Sequence, residues 1–85
     1  MDSLESLINS KEPLSDSQIM FVFNQVGLAG DIILLKNDGP RAEAKFTVVI
    51  LSGDEKFSGI RQDSDDLSFA IRKVLSKYIV GRWAS

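Results

Sequence analysis

The acidic residues at the start of the last predicted helix are the group best placed to do chemistry in this chain. Asp63, Asp65 and Asp66 lie close together in the sequence, and neighbouring carboxylates can bind a divalent cation. They also lie where helix capping and the helix dipole favour acidic side chains. Because no glycine-containing loop of the EF-hand type surrounds them, the sequence favours a capping role over a metal site.

The other groups that catalysis uses are absent or isolated. The chain has no Cys and no His, which excludes a thiolate nucleophile, a zinc–thiolate site and the commonest general base. The remaining acidic residues are scattered through turns, no phosphate-binding glycine motif is present, and no base lies near a serine to activate it. We therefore expect no enzymatic activity, and we assign no catalytic, cofactor-binding or metal-binding residue.

Length and charge limit the classes of partner. The chain has 85 residues, which is enough for one domain, and its ten basic and twelve acidic residues give a net charge of −2. Proteins that bind phosphate backbones are usually basic, so indiscriminate binding of nucleic acid is disfavoured, although a local basic patch is compatible with this balance. No apolar run approaches the ~18 residues of a membrane span, and the N-terminus lacks the basic start of a signal peptide. We therefore expect a soluble protein of the cytoplasm.

Two helical patterns occupy the N-terminal third of the chain. A short helix is predicted over residues 2–10, with Asp2 and Glu5 as a capping pair, so residues 1–13 form a short helix and linker. Ser15 and Gln18 then have the spacing of a capping box, and apolar residues recur at helical spacing up to Gly27. This pattern predicts a second helix over residues 16–26.

The remaining patterns complete a single domain over residues 14–83. Strands are predicted over residues 31–36, 44–51 and 55–61, the first two apolar and the third more polar. Ser52-Gly53-Asp54 is typical of a hairpin turn, and the last helix is predicted to begin at Asp63 or Ser64 and to end at Gly81. The predicted fold class is α+β: a short N-terminal helix and then α-β-β-β-α, with two helices packed on one face of a three-stranded antiparallel sheet.

This order of elements, with these turns, resembles the double-stranded-RNA-binding domain over residues 15–80. Gly39-Pro40-Arg41-Ala42, leading to Phe46-Thr47-Val48, is similar to the family's Gly-Pro-x-His turn and its Phe-Thr-Val strand. Ser64-Asp65-Asp66 lies where the family begins its last helix with Ser-Lys-Lys. The resemblance implies an α-β-β-β-α fold, and for an intact member it implies contact with duplex RNA across its grooves.

The residues that would contact RNA in that family are replaced in this chain. Ala42 occupies the position of the turn His, and the lysine positions of the last helix hold Asp65, Asp66 and Phe69. The first helix of the family presents a polar residue where this chain is apolar, near Phe21. The resemblance therefore implies a retained scaffold without its RNA-binding side chains.

Several apolar and basic residues lie off the predicted core stripes. Phe69, Arg72 and Lys73 share the outer side of the last helix, where an aromatic beside two cations is typical of a protein-binding hot spot or a stacking platform. Trp83 is either an interface residue or a cover for the core, and Phe21 either faces a partner or is buried under the N-terminal segment. An exposed aromatic without any function is the alternative at Phe69.

The sequence thus predicts a non-enzymatic protein-interaction module, a small acidic adaptor or inhibitor that acts alone or as a homodimer. Its candidate partner-binding residues share an aromatic or cationic side chain: Phe21, Phe69, Arg72, Lys73 and Trp83. The alternative is a weak binder of structured, duplex-like RNA. Its candidate RNA-binding residues are all basic: Arg41, Lys45, Arg72, Lys73 and Lys77.

Overall fold

A computed structural model describes residues 4–40 and 42–83. In chain order its elements are α1 (Leu4–Asn9), α2 (Asp16–Leu28), β1 (Ile32–Asn37), β2 (Phe46–Leu51), β3 (Ile60–Ser64) and α3 (Leu67–Trp83). The predicted α+β order is confirmed, with one short and two longer helices around three strands. The predicted capping pair at α1 includes Asp2, which lies outside the described residues. None of the helices within the described ranges is long and apolar enough to cross a membrane.

The start of α2 depends on a local capping box. The Ser15 side chain accepts a hydrogen bond from the Gln18 backbone N–H at 3.2 Å, and the Gln18 side chain accepts from the Ser15 N–H at 2.8 Å. The helix continues one residue past Gly27, its predicted end, to Leu28, and Ala29 is its C-cap. The left-handed residue of this helix end is Gly30, at φ 87°, a conformation that glycine adopts without steric cost.

The three strands form one antiparallel sheet in the order β1-β2-β3. Leu34 lies opposite Val49, and Val49 lies opposite Arg61, so these three side chains share one face. The adjacent positions, Val48 and Ile50, point to the other face and are fully buried under the helices. The helices therefore cover one face of the sheet.

The C-terminal part of the sheet differs from the prediction. β3 spans Ile60–Ser64 rather than residues 55–61, and residues 52–59 form a longer loop instead of a tight hairpin turn. Two side chains explain this loop. The Ser52 hydroxyl (2.8 Å) and the Asp54 carboxylate (3.3 Å) both accept a hydrogen bond from the Lys56 N–H, which favours a local turn over an extended strand.

The last helix begins and ends later than predicted. Asp66 caps α3 by accepting from the Phe69 N–H at 3.1 Å, whereas Asp63 and Ser64 still belong to β3. The helix also continues through Gly81 to Trp83. A methyl group at Gly81 would lie 3.0 Å from the Phe57 Cβ atom, so glycine lets the 52–59 loop pack directly on the helix.

One hydrophobic core joins all of these elements. Its members share an almost complete loss of solvent exposure: Leu4, Leu7, Leu14, Val22, Val26, Val48, Ile50, Ala70, Ile71, Val74, Leu75 and Tyr78. Leu4 and Leu7 bring α1 onto this core, and α1 contacts α3. The N-terminal helix is therefore a docked part of the fold.

Candidate interaction surface

A buried carboxylate ties three distant segments together at one end of the molecule. Asp31 accepts hydrogen bonds from the Tyr78 hydroxyl at 2.7 Å, from the Gly53 N–H at 2.9 Å and from Arg82 Nε at 3.0 Å. Arg82 Nη2 donates a further bond to Asp31, while Nη1 and Nη2 reach the two Asp54 oxygens at 3.1 and 3.0 Å. We call these residues (Asp31, Gly53, Asp54, Tyr78 and Arg82) the Asp31 cluster.

The charges of the Asp31 cluster stabilise one another. Burial alone raises the pKa of Asp31, but hydrogen bonds from Arg82, Gly53 and Tyr78 outweigh it and leave the pKa below its usual value. Hydrogen bonds from Arg82 hold the pKa of Asp54 far below its usual range. Burial, together with the bond to Asp31, raises the pKa of Tyr78 above its usual value, so this phenol stays protonated and donates.

The polar and aromatic groups of the Asp31 cluster are bonded or packed within the chain. No buried side-chain nitrogen or oxygen in residues 4–40 and 42–83 lacks a hydrogen-bond partner. Phe57 and Trp83 pack edge-on against the Tyr78 ring at centroid distances of 5.6 and 5.3 Å. No sequence pattern indicated this cluster, because Asp31 and Tyr78 are separated by 47 positions.

The predicted partner-binding residues lie in different environments. Arg72 donates to the Leu7 carbonyl at 2.8 Å and also to the Glu12 carbonyl, so it fastens α1 and the linker to α3. Phe69 is 45% exposed, and Lys73 Nζ lies 5.5 Å from the centre of its ring. Phe69 and Lys73 therefore lie together, whereas Arg72 is hydrogen-bonded to backbone carbonyls of the same chain.

The other two predicted partner-binding residues lie away from that pair. Trp83 is 57% exposed at the far end of α3, which places it about 21 Å along the helix axis from Phe69. Its ring contacts Tyr78, so the residue combines partial exposure with packing on the core. Phe21 on α2 is half-buried and packs against the core. The five predicted residues do not form one patch.

The predicted RNA-binding residues are also dispersed. Lys45, Lys73 and Lys77 are exposed, but Lys45 precedes β2 whereas the other two lie on α3. Arg72 is bonded to two carbonyls, as described above, and Arg41 lies outside the described residues.

The acidic residues near the start of α3 are bonded within the chain. Asp66 caps the helix, and Asp65 accepts from the Lys45 N–H at 3.3 Å. Asp63 accepts from the Thr47 hydroxyl at 2.8 Å and forms an ion pair with Arg61 at 3.3 Å. Within the described ranges no three acidic side chains are grouped so that they could hold a metal ion. These carboxylates therefore cap α3 and stabilise the neighbouring strands and loop.

The largest feature that the sequence did not predict is the face of the sheet opposite the helices, which we call the open face. Along each strand its side chains alternate with those on the helix-covered face: Ile32, Leu34, Lys36, Thr47, Val49, Leu51, Arg61 and Asp63. Ile32 is 48% exposed, Leu34 is 54% exposed and Leu51 is 38% exposed. No described helix or strand covers this face.

The open face is apolar at one end and carries cationic side chains near its middle. Ile32 and Leu51 form an apolar end, and the Leu51 side chain lies over Gly59, where an added methyl group would approach it to 3.0 Å. A shallow depression of about 280 Å³ lies near the middle, lined by Leu34, Leu35, Lys36, Thr47, Val49 and Arg61. This depression, with an apolar floor and cations beside it, can contact a protein surface that presents apolar and acidic side chains.

Comparisons with protein-family models, with curated proteins and with solved structures find no match to this chain. Function is therefore inferred from the geometry of the described residues.

Proposed function

We infer that this chain is a non-enzymatic protein-interaction module of the cytoplasm, an adaptor or inhibitor that binds its partner through the open face of the sheet. The proposed partner presents an apolar surface with acidic side chains at its margin. Such a surface matches the apolar residues of the open face and the exposed cations Lys36 and Arg61 beside them.

The observation that carries this proposal is the exposure of large apolar side chains on a regular sheet face. Isolated apolar residues are ordinary on protein surfaces, whereas a contiguous group is typical of an interaction site. Ile32, Leu34 and Leu51 are each about half exposed and lie around Val49. Covering the exposed half of each would contribute roughly 1 kcal/mol per residue to binding.

The polar groups of the chain support a role without catalysis. The most buried charges belong to the Asp31 cluster, where hydrogen bonds within the chain saturate the carboxylate. A general base must instead keep a free lone pair within reach of a substrate. Arg72, shared by both sequence-predicted sites, is also engaged within the chain, which reduces the support for the RNA-binding alternative.

A capture experiment with matched variants tests the proposal. Wild-type chain, Leu51→Glu and Phe69→Glu are immobilised after circular dichroism has shown that all three are folded, and each is exposed to native lysate with and without nuclease treatment. We expect a protein that withstands nuclease, binds wild type and Phe69→Glu, and is lost with Leu51→Glu.

Two results would contradict the proposal. Loss of the captured protein with Phe69→Glu and its retention with Leu51→Glu would move the binding site to the outer side of α3. A capture that disappears only after nuclease treatment would favour the RNA-binding alternative instead.

A further inference from the structure

The two edges of the sheet differ in how well they are protected from pairing with another strand. β3 carries Arg61 and Asp63, whose charges disfavour association along its edge. β1 carries the uncharged run from Ile32 to Leu35, contains no Pro, and pairs with β2 without a bulge. Within the described residues, β1 has a strand neighbour on one side only. Over Ile32–Leu35 the β1 edge therefore lacks the charges that keep edge strands apart, and its charged residue, Lys36, lies near the end of the strand.

The hydrogen-bond pattern identifies which backbone groups of β1 point outward. The Asp38 N–H donates to the Lys45 carbonyl at 2.7 Å, and this pair continues the register of β1 with β2. Hydrogen-bonded and non-bonded pairs alternate along an antiparallel ladder. Lys36 and Leu34 therefore bond to β2, whereas Ile33 and Leu35 direct their N–H and C=O groups away from the sheet.

A second β1 strand satisfies these outward groups with the same spacing. In an antiparallel pair with the two-fold axis beside Leu34, Ile33 faces Leu35 of the second copy and exchanges both backbone hydrogen bonds with it. Leu34 then faces Leu34 of the second copy. Lys36 faces Ile32 of the second copy, so the two lysines stay apart.

We propose that two copies of this chain associate through antiparallel pairing of their β1 edges and form a continuous six-stranded sheet. The identical strand is favoured over an unrelated extended peptide because β1 is self-complementary in length, in hydrogen-bond pattern and in charge. This inference goes beyond the proposed function and does not depend on it, since edge pairing uses backbone groups and leaves the open face uncovered.

The size of the contact sets the expected strength of the dimer. Two paired strands of this length bury less than the ~1,200 Å² of a standard interface, which is typical of weak, reversible association. The purified chain should therefore change from monomer to dimer between about 20 μM and 1 mM. Sedimentation equilibrium over this range measures the change directly.

Amide hydrogen exchange gives a second readout with residue resolution. The amides of Ile33 and Leu35 should become several-fold more protected as the protein concentration rises through the same range. The alternate amides of Leu34 and Lys36 already bond to β2 and should change little. A general stabilisation of the fold would protect all four amides together, so the alternating pattern is specific to edge pairing.

Substitutions test whether the dimer forms through the β1 edge or through another surface. Leu35→Pro removes an N–H that points away from β2, and Leu35→Lys places a charge on the edge. Phe69→Lys is the matched control, because Phe69 has a comparable exposure on α3. Both Leu35 variants should stay monomeric over the whole concentration range, while Phe69→Lys should dimerise like wild type.

The register is tested by crosslinking. The chain contains no Cys, so a single Leu34→Cys substitution provides a clean probe. Residues facing each other in a non-bonded antiparallel pair lie within disulfide distance, so Leu34→Cys should form a covalent dimer on mild oxidation and Phe69→Cys should not.

Three outcomes would overturn the proposal: a chain that remains monomeric at 1 mM, a dimer that persists in both Leu35 variants, or a dimer that Phe69→Lys abolishes. Because all of these measurements use the purified chain alone, their failure would leave the capture experiment unaffected.

Discussion

The Tyr78 hydroxyl donates a hydrogen bond of 2.7 Å to the Oδ2 atom of Asp31, across 47 positions of sequence. The same carboxylate also accepts hydrogen bonds from the Gly53 N–H and from the Arg82 side chain. One buried acid thereby holds the residue before β1, the loop after β2 and the end of α3 in fixed relation. These contacts join the start of β1 and the end of β2, two strands of the open face, to the end of α3.

Asp31→Asn should destabilise the fold by about 3 kcal/mol, because removing one partner of a buried ion pair leaves the other charge poorly compensated. Urea unfolding at neutral pH measures the loss. Asp54→Asn is the control, since this second partner of Arg82 is largely exposed and should matter much less. Equal losses for the two variants would contradict the assigned importance of Asp31.

Stability should fall when the solution is acidified. The pKa of Asp31 is lowered in the folded state, so its contribution is present above the unfolded value of about 3.9 and is lost as the pH falls through the folded value. Urea midpoints between about pH 6 and pH 2 should therefore decrease more steeply for wild type than for Asp31→Asn. Parallel curves for the two proteins would show that Asp31 does not contribute to the pH dependence.

Gly53→Ala should destabilise the fold by about 2 kcal/mol or more, because the added methyl group would lie only 1.8 Å from the Gly30 carbonyl oxygen. Relief of this overlap must move the loop and weaken the bond from the Gly53 N–H to Asp31. Gly39→Ala is the matched control, because no described residue beyond the chain neighbours of Gly39 has an atom within 4 Å of the new methyl group. Thermal unfolding of both variants measures the contrast, and an unchanged midpoint for Gly53→Ala would refute the close approach.

Glu55→Gly should stabilise the fold by about 0.5 kcal/mol. Glu55 has φ 63°, in the left-handed region that costs a residue with a side chain more than it costs glycine. Glycine loses more conformational freedom on folding, which offsets part of the gain. Glu43→Gly is the control outside the left-handed region and should not stabilise. A lower unfolding midpoint for Glu55→Gly would contradict this prediction.

Local interactions were the part of the fold that the sequence could predict. The capping box of Ser15 and Gln18 forms because both partners lie within one helical turn. The position of β3 could not be predicted in the same way, since the apolar residue Phe57 resembles a strand residue but packs on Tyr78 within a loop. Its location depends on contacts that only the folded chain brings together.

The candidate site was harder to predict for a related reason. Side chains alternate between the two faces along β2, but because apolar residues lie on both faces, the pattern does not show which face the helices cover. The exposure of Leu34 and Leu51 therefore appears only after α2 and α3 are placed on the opposite side. Arg72, whose side chain type suggests a binding role, is directed to the backbone carbonyl of Leu7 by the docking of α1.

The most direct test of the open face as a binding surface is a titration of the captured partner against wild-type chain, Leu51→Glu and Phe69→Glu. Placing a carboxylate against an apolar contact should weaken binding by Leu51→Glu at least tenfold, equivalent to about 1.4 kcal/mol. Phe69→Glu should bind within about twofold of wild type. Equal affinities for wild type and a folded Leu51→Glu would contradict the assignment of the open face.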